Sequence, residues 1–179
     1  IALRASSETL TIVGKAMIPR IIEALSALVP LAICRPLRKE KNLLITKKNI
    51  DAIVATGAKT VITGCPYCYR TFKNKDPYAV LRDKGLNLVH ISQFLGDFDL
   101  GVTTDLKVTY HDPCDLGRHC GIYEEPRQTI RKIAPNFVEM VHNHAGSLCC
   151  GSGGGARGAY AKNSLAMAKR RLGEALNLE

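Results

Sequence analysis

Three cysteine positions of the chain follow short apolar runs, two closely and one after a loop, and that arrangement narrows the folds open to it. Thr60-Val61-Ile62-Thr63 runs into Gly64-Cys65-Pro66-Tyr67-Cys68, and 106–110 runs into His111-Asp112-Pro113-Cys114. The third run, 136–140, leads through a loop over 142–148 to Cys149-Cys150-Gly151. Runs this short, bounded by turn residues, read as buried strands, and the stretches between them carry helical periodicity. The pattern predicts strands over 31–33, 60–63, 86–90, 106–110 and 136–140. It predicts helices over 15–28, 44–56, 66–74, 77–84, 92–98, 125–133 and 158–177. Ile50, Ile53 and Val54 are expected to face inward from the helix over 44–56, with Gly57 as its stop. Pro66 suits the first turn of the helix that follows it. In the last helix Ala161, Leu165, Ala168, Leu172 and Ala175 form the expected buried stripe. Strand and helix alternate throughout, so the expected fold class is α/β, with parallel strands alternating with helices. Loops beyond the carboxyl ends of such strands share one rim of the sheet, where thiols far apart in sequence can meet.

Composition supports a real core: 46% of the 179 residues are hydrophobic, enough for one domain or two small related ones. Net charge is +9, from 25 Lys and Arg against 16 Asp and Glu. The excess gathers at Arg35, Arg38, Lys39, Lys41, Lys47 and Lys48, and again at Arg157, Lys162, Lys169, Arg170 and Arg171. These patches read either as solvated helix faces or as docking surfaces for an acidic protein or an anionic membrane. Nucleic acid is not expected as a partner, because the patches lack interleaved aromatics and no binding motif is present. No apolar run reaches the roughly 18 residues of a membrane span, and the first residues do not read as a secretory leader. The expectation is a cytoplasmic protein, peripheral to the inner membrane face only through partners. A start at Ile1 without Met reads as a processed chain or a fragment.

Seven cysteines without a secretory leader argue for metal or redox chemistry rather than a disulfide framework. Cys65 and Cys68, at a strand-to-helix turn, present two sulfurs together, and the positive end of the helix favours thiolate over thiol. Adjacent Cys149 and Cys150 diverge in any regular structure, so both can serve one site only on an irregular turn. Gly151, Gly153, Gly154 and Gly155 allow such a turn and let backbone N–H groups approach sulfur. Without a Gly-Lys-Ser/Thr ending, the glycine run is not a nucleotide P-loop.

Together these stretches resemble a known family. His111-Asp112-Pro113-Cys114, Gly117-Arg118, Glu124-Glu125-Pro126-Arg127 and Cys149-Cys150-Gly151 with its glycine run look like the cysteine-rich "CCG" domain. It occurs in the B-type and D-type polypeptides of heterodisulfide reductase, in the iron–sulfur subunit of glycolate oxidase, and in related lactate and anaerobic glycerol-3-phosphate dehydrogenase subunits. The family repeat is a single Cys, a long spacer, Cys-Cys-Gly, a second spacer and Cys-Pro-x-Cys, usually present twice. The 34 residues between Cys114 and Cys149 suit the first spacer, and 49–72, containing Cys65-Pro66-Tyr67-Cys68, looks like the end of a preceding repeat. The resemblance implies two related cysteine-bearing halves, a degenerate one over 1–98 and one over 99–179 that stops before its final Cys-x-x-Cys. It implies a [4Fe–4S] cluster, non-cubane in some members, held by Cys114, Cys149 and Cys150, with Cys65, Cys68 and Cys34 as the second set. Zinc can occupy a degenerate repeat. The implied role is an electron-transfer subunit, passing electrons between a flavin or cluster partner and a disulfide or quinone. The partners would be a flavoprotein, a ferredoxin-like subunit or a membrane quinone-reactive subunit. Neither repeat is complete: Cys-Cys-Gly is missing before Cys65, where only Cys34 takes a similar place.

Two other readings use the same residues. Cys65-Pro66-Tyr67-Cys68 is the glutaredoxin tetrapeptide and sits correctly for thiol–disulfide exchange, but it leaves Cys114, Cys149 and Cys150 without a role. A binding module stabilised by zinc is the other. His111 reads as an orienting or turn-capping group near Cys114, and His119, His142 and His144 as loop histidines. Arg118 and Arg127 could stabilise an anionic cluster or an acidic substrate, or form a structural pair with Glu124 or Glu125, and Cys120 reads as a bystander thiol.

Overall fold

In the computed structural model, which describes residues 39–178, Lys39–Ala55 forms helix α1. The helix expected over 15–28, the strand over 31–33 and Cys34 lie outside the described residues. The buried face of α1 is centred on Asn49 and Ile53, with Ile50 against the core. Val54, expected inward, is 44% exposed. It stands one residue past Ile53, and 100° of helical rotation carries it off the face. Gly57, at φ +63°, turns the chain out of the helix by donating to the Val54 carbonyl.

The polypeptide then enters strand β1 (Thr60–Thr63), which pairs in parallel with β2 (Asn87–His90), Thr63 opposite His90. Parallel neighbours need a crossover. Here it comprises α2 (Pro66–Asn74), a 3-10 turn over Asp76–Tyr78 and the short α3 (Ala79–Asp83). Ile53, Val61, Cys68, Phe72, Tyr78 and Leu81 form the core beneath them, with Phe72 and Tyr78 edge to face at 4.7 Å. Helix α4 (Ile91–Gly96) follows β2 directly, its first turn capped by the His90 ring.

The second half follows the expected order of elements with less sheet. The strands expected over 106–110 and 136–140 reduce to one parallel bridge, Val108 to Phe137. Leu106 is 70% exposed and has no core to anchor it. Past the bridge, Asp112 from one segment and Glu139 from the other both bond Arg127, so a side chain rather than a ladder joins them. Two helices lie between these segments, α5 (Gly117–Cys120) and α6 (Glu124–Ile133). Helix α6 packs on α4, where Thr129 donates to the Ser92 carbonyl at 3.0 Å. Tyr69, Leu116 and Ile122 form a second core cluster that ties α2 to the Cys114 segment.

After a short helix, α7 (Ala156–Ala159), the chain breaks at Tyr160 and continues as α8 (Ala161–Leu176). Its expected buried stripe is largely outside: Leu165 is 56% and Leu172 62% exposed, and Ala161 is exposed as well. The buried residues are Ser164 and Arg171. Polar contacts set the rotation of this helix: Arg171 bonds His111, the His142 carbonyl and Glu174. Arg171 is therefore not part of the exposed basic patch. Among the described residues no helix is long and apolar enough to cross a membrane.

Candidate metal centre

Cys65 is the N-cap of α2, with extended backbone dihedrals and Pro66 as the first helical residue. Its N–H is held at 3.2 Å by the Thr63 hydroxyl, which fixes the turn out of β1. Its thiol is lowered to about 6, chiefly by a hydrogen bond from the Cys68 side chain. Burial opposes that shift, and the N–H groups of Cys68 and Tyr67 assist it. The two sulfurs thus stand together, Cys65 half-buried and Cys68 buried in the core. The arrangement presents an anionic sulfur at the carboxyl end of the sheet.

Cys114 lies across from this helix. Its neighbour Asp115 accepts from Arg70 of α2 at 2.8 Å, and Asn74 and Lys73 bond the carbonyls of His119 and Cys120. On its other side a single guanidinium joins it to the loop before Cys149. Arg118 donates from Nη1 to Cys114 Sγ at 3.0 Å, from Nε to the Ala145 carbonyl at 2.9 Å, and from Nη2 to the Ser147 carbonyl. A donor pointing at sulfur with a full positive charge behind it is suited to an anionic thiolate.

Beneath Cys114 lies a buried ion cluster. Arg127 is 0% exposed and makes a two-pronged contact with Asp112 at 2.6 and 2.8 Å. It also bonds Glu139 at 2.6 Å and the Tyr123 carbonyl at 2.7 Å, and its guanidinium carbon lies 5.3 Å from the centre of the Tyr110 ring. Burial pushes the Asp112 carboxyl up, but hydrogen bonds from Arg127 and the His144 N–H outweigh it and hold the group below its usual range. That last bond, 2.8 Å long, ties the Cys114 segment to the same loop that Arg118 grips. Arg127 therefore takes a structural role, with Asp112 and Glu139 as its partners rather than Glu124 or Glu125, the pair offered as one alternative. Glu124 instead bonds His144, whose φ of +49° marks the sharp bend of the loop.

Cys149 and Cys150 sit on the irregular turn that their neighbours predicted. Cys149 is exposed and its sulfur accepts from the Gly151 N–H at 3.4 Å, while Cys150 is half-buried. Gly151 is at φ +77° and lies so close to α8 that a Cβ on it would come within 2.3 Å of the Ser164 carbonyl oxygen. The glycines over Gly153–Gly155 form a 3-10 turn leading into α7.

The structure thus brings Cys65 together with Cys68, and ties the Cys114 segment to α2 on one side and to the 142–148 loop on the other. Among the described residues, no three His, Cys, Asp or Glu side chains close into a set able to hold a metal ion as they stand. The donor chemistry nevertheless fits a thiolate-bound metal group: sulfurs from separate segments, N–H groups aimed at two of them and a cation beside a third. Cys120 stands apart, packed against the second core cluster with its thiol pushed up by burial. His111 accepts from Arg171 at 3.0 Å and so orients the segment before Cys114 rather than facing a site. His142, exposed, bonds Glu174. The ion cluster around Arg127 is what sequence reasoning missed. Arg127 is legible as a pairing group, but its partners Asp112 and Glu139 are not, since neither lies at helical spacing from it.

The sequence model of a cysteine-rich domain family, designated CCG, matches residues 31–73 and 108–179. Among curated relatives, the D-type polypeptide of dihydromethanophenazine:CoB–CoM heterodisulfide reductase from Methanosarcina acetivorans is 36% identical over 140 residues, covering 74% of this chain and 34% of that protein. The B-type polypeptide of fumarate reductase (CoM/CoB) from Methanothermobacter marburgensis is 38% identical over 120 residues, covering 64% of this chain and 23% of that one. EtfAB:quinone oxidoreductase of Syntrophomonas wolfei is 29% identical over 117 residues, with 62% and 16% covered. The chain spans about a third or less of the length of these relatives. No solved structure matches it.

Proposed function

Because the chain belongs to the cysteine-rich CCG domain family, we propose that it holds an iron–sulfur cluster and serves as an electron-transfer part of a larger redox complex. Cys114, Cys149 and Cys150 would hold the cluster, and Cys65 and Cys68, with Cys34, form the end of a preceding, degenerate site that iron or zinc can occupy. A bound [4Fe–4S] group, cubane or non-cubane, supplies a one-electron redox centre. The chain's own residues direct hydrogen-bond donors at the sulfurs and fix their direction. The Cys65 thiol is lowered to about 6 by the Cys68 hydrogen bond, and the Gly151 N–H and the Arg118 guanidinium donate to the sulfurs of Cys149 and Cys114.

The single observation that carries this reading is the Arg118 clasp, one side chain joining Cys114 to the loop that leads to Cys149-Cys150. Relatives named as heterodisulfide reductase, fumarate reductase and quinone oxidoreductase proteins support a place among redox subunits. The chain would take electrons from a flavoprotein or a ferredoxin-like subunit and pass them towards a disulfide or a quinone-reactive membrane subunit. It would do so from the cytoplasmic side. Residues 1–98 and 99–179 would form two related halves.

Anaerobically purified full-length protein should contain iron and sulfide and absorb in the blue. Cys149→Ser should remove most of that absorption while the far-ultraviolet dichroism stays unchanged. A colourless protein containing zinc would instead make it a zinc-stabilised module. A metal-free protein that exchanges disulfides through Cys65 and Cys68 would favour the thiol–disulfide reading, which the lowered Cys65 thiol supports.

A further inference from the structure

Arg118 makes three bonds with one guanidinium, and each goes to a different residue of the site: the Cys114 sulfur, the Ala145 carbonyl and the Ser147 carbonyl. Two of these are backbone oxygens in the second half of the 142–148 loop, whose first half is held elsewhere, at His142 by Arg171 and Glu174 and at His144 by Asp112 and Glu124. Residues 142–148 contain one short 3-10 turn, over His144–Gly146, and no strand. Ser147 is nonetheless buried, two residues before Cys149. The side chain itself is exposed and reaches the site from α5, whose four residues end at a left-handed Gly121. Nothing in the packing of a core requires an arginine there; a helix this short buries only Gly117.

From this geometry we propose that Arg118 is a positioning and tuning residue. It fixes the distance between the Cys114 sulfur and the Cys149-Cys150 turn, and its Nη1–H stabilises negative charge on the Cys114 sulfur. The proposal deepens the iron–sulfur reading and rests on it for its second half only, since the clasp on the loop needs no metal. A planar guanidinium presents several donors in a fixed fork, so it can span three acceptors that a lysine ammonium cannot reach together. Hydrogen bonds to ligand sulfur are among the terms that set the reduction potential of bound iron. One added electron increases the negative charge on the sulfurs, so a donor there favours the reduced state, and its loss lowers the potential.

The test uses Arg118→Gln and Arg118→Lys in the full-length protein, each read with and without metal. In metal-free protein, Arg118→Gln should speed the limited proteolysis of the 142–148 loop several-fold. Lysine should not restore the protection, for want of the fork. In iron-loaded protein, a reductive titration should place the potential of Arg118→Gln below that of the unsubstituted chain, with Arg118→Lys between them. If glutamine prevents folding, the lysine variant decides alone: a loop as protected as in the unsubstituted protein overturns the clasp. An unchanged potential in loaded variants overturns the tuning role. Protein that never takes up iron but loses loop protection in both variants would sink the iron–sulfur reading and leave the clasp standing.

Discussion

Arg127→Met should destabilise the protein by about 3–5 kcal/mol, the typical cost of leaving one partner of a buried ion pair uncompensated. Arg127 is fully buried, and the Asp112 side chain it serves is 2% exposed. Methionine fills much of the arginine volume, so the loss measures charge and hydrogen bonding more than an empty space. Five hydrogen bonds disappear together: two to Asp112, two to Glu139 and one to the Tyr123 carbonyl. Urea unfolding compared with the unsubstituted chain gives the number. Adding Asp112→Asn should recover part of the loss, because the variant then no longer buries an unpaired carboxylate. If the double substitution costs the sum of the two single ones, the coupling is absent and the ion cluster is only two independent contacts.

The consequence reaches the cysteines. Asp112 uses one oxygen both for Arg127 Nη2 and for the His144 N–H. With Arg127 gone, the carboxylate that anchors the 142–148 loop loses its own anchor. Arg127→Met should therefore weaken metal retention although Arg127 touches no cysteine. Burial of a full ion cluster is costly for stability alone, since a well-packed apolar replacement is often neutral or better. Its use here is to join three segments at fixed positions: the one before Cys114, the loop before Cys149 and helix α6.

The same residues explain which parts of the molecule were legible in the sequence. In the first half most buried groups are apolar, with Thr63, Thr71 and His90 as the exceptions. Val61 and Ile62 mark β1, Pro66 marks the first turn of α2, and the observed limits, Thr60–Thr63 and Pro66–Asn74, match the expected ones. In the second half, beside Leu116, Ile122, Ala134 and Met140, the polar groups Asp112, Arg127, Thr129, Ser147, Ser164 and Arg171 are buried. A search for apolar periodicity is blind to these, so it placed Leu165 and Leu172 inside α8 and drew two full strands where only Val108 meets Phe137. Helix α6 shows the limit clearly: its buried face is Pro126, Arg127 and Thr129. The cysteine motifs were legible because metal chemistry demands sulfur at set positions. Arg118 was legible as a cation near the cysteines, but its grip on the Ala145 and Ser147 carbonyls, and that of Asp112 on the His144 N–H, was not, because backbone groups leave no mark on the sequence.

Gly151→Ala should release the Cys149-Cys150 turn from α8 and cost the protein most of its bound metal. Two separate terms oppose any side chain here. The backbone is at φ +77°, a left-handed conformation that costs a residue with Cβ about 1–2 kcal/mol. The added carbon would also lie 2.3 Å from the Ser164 carbonyl oxygen and 3.1 Å from Met167 Cβ. Ser164 is buried backbone of a helix and cannot rotate away, so the turn must lift off, taking with it the N–H that Cys149 Sγ accepts from. Gly154→Ala separates the two terms, since Gly154 has a similar φ of +61° but nothing within 4 Å of the added carbon. It should lose stability through strain alone and keep its metal. Iron content and urea midpoints of the two variants, measured side by side, settle the matter. Equal losses would mean that the close approach to α8 contributes nothing, and that backbone conformation alone shapes the turn.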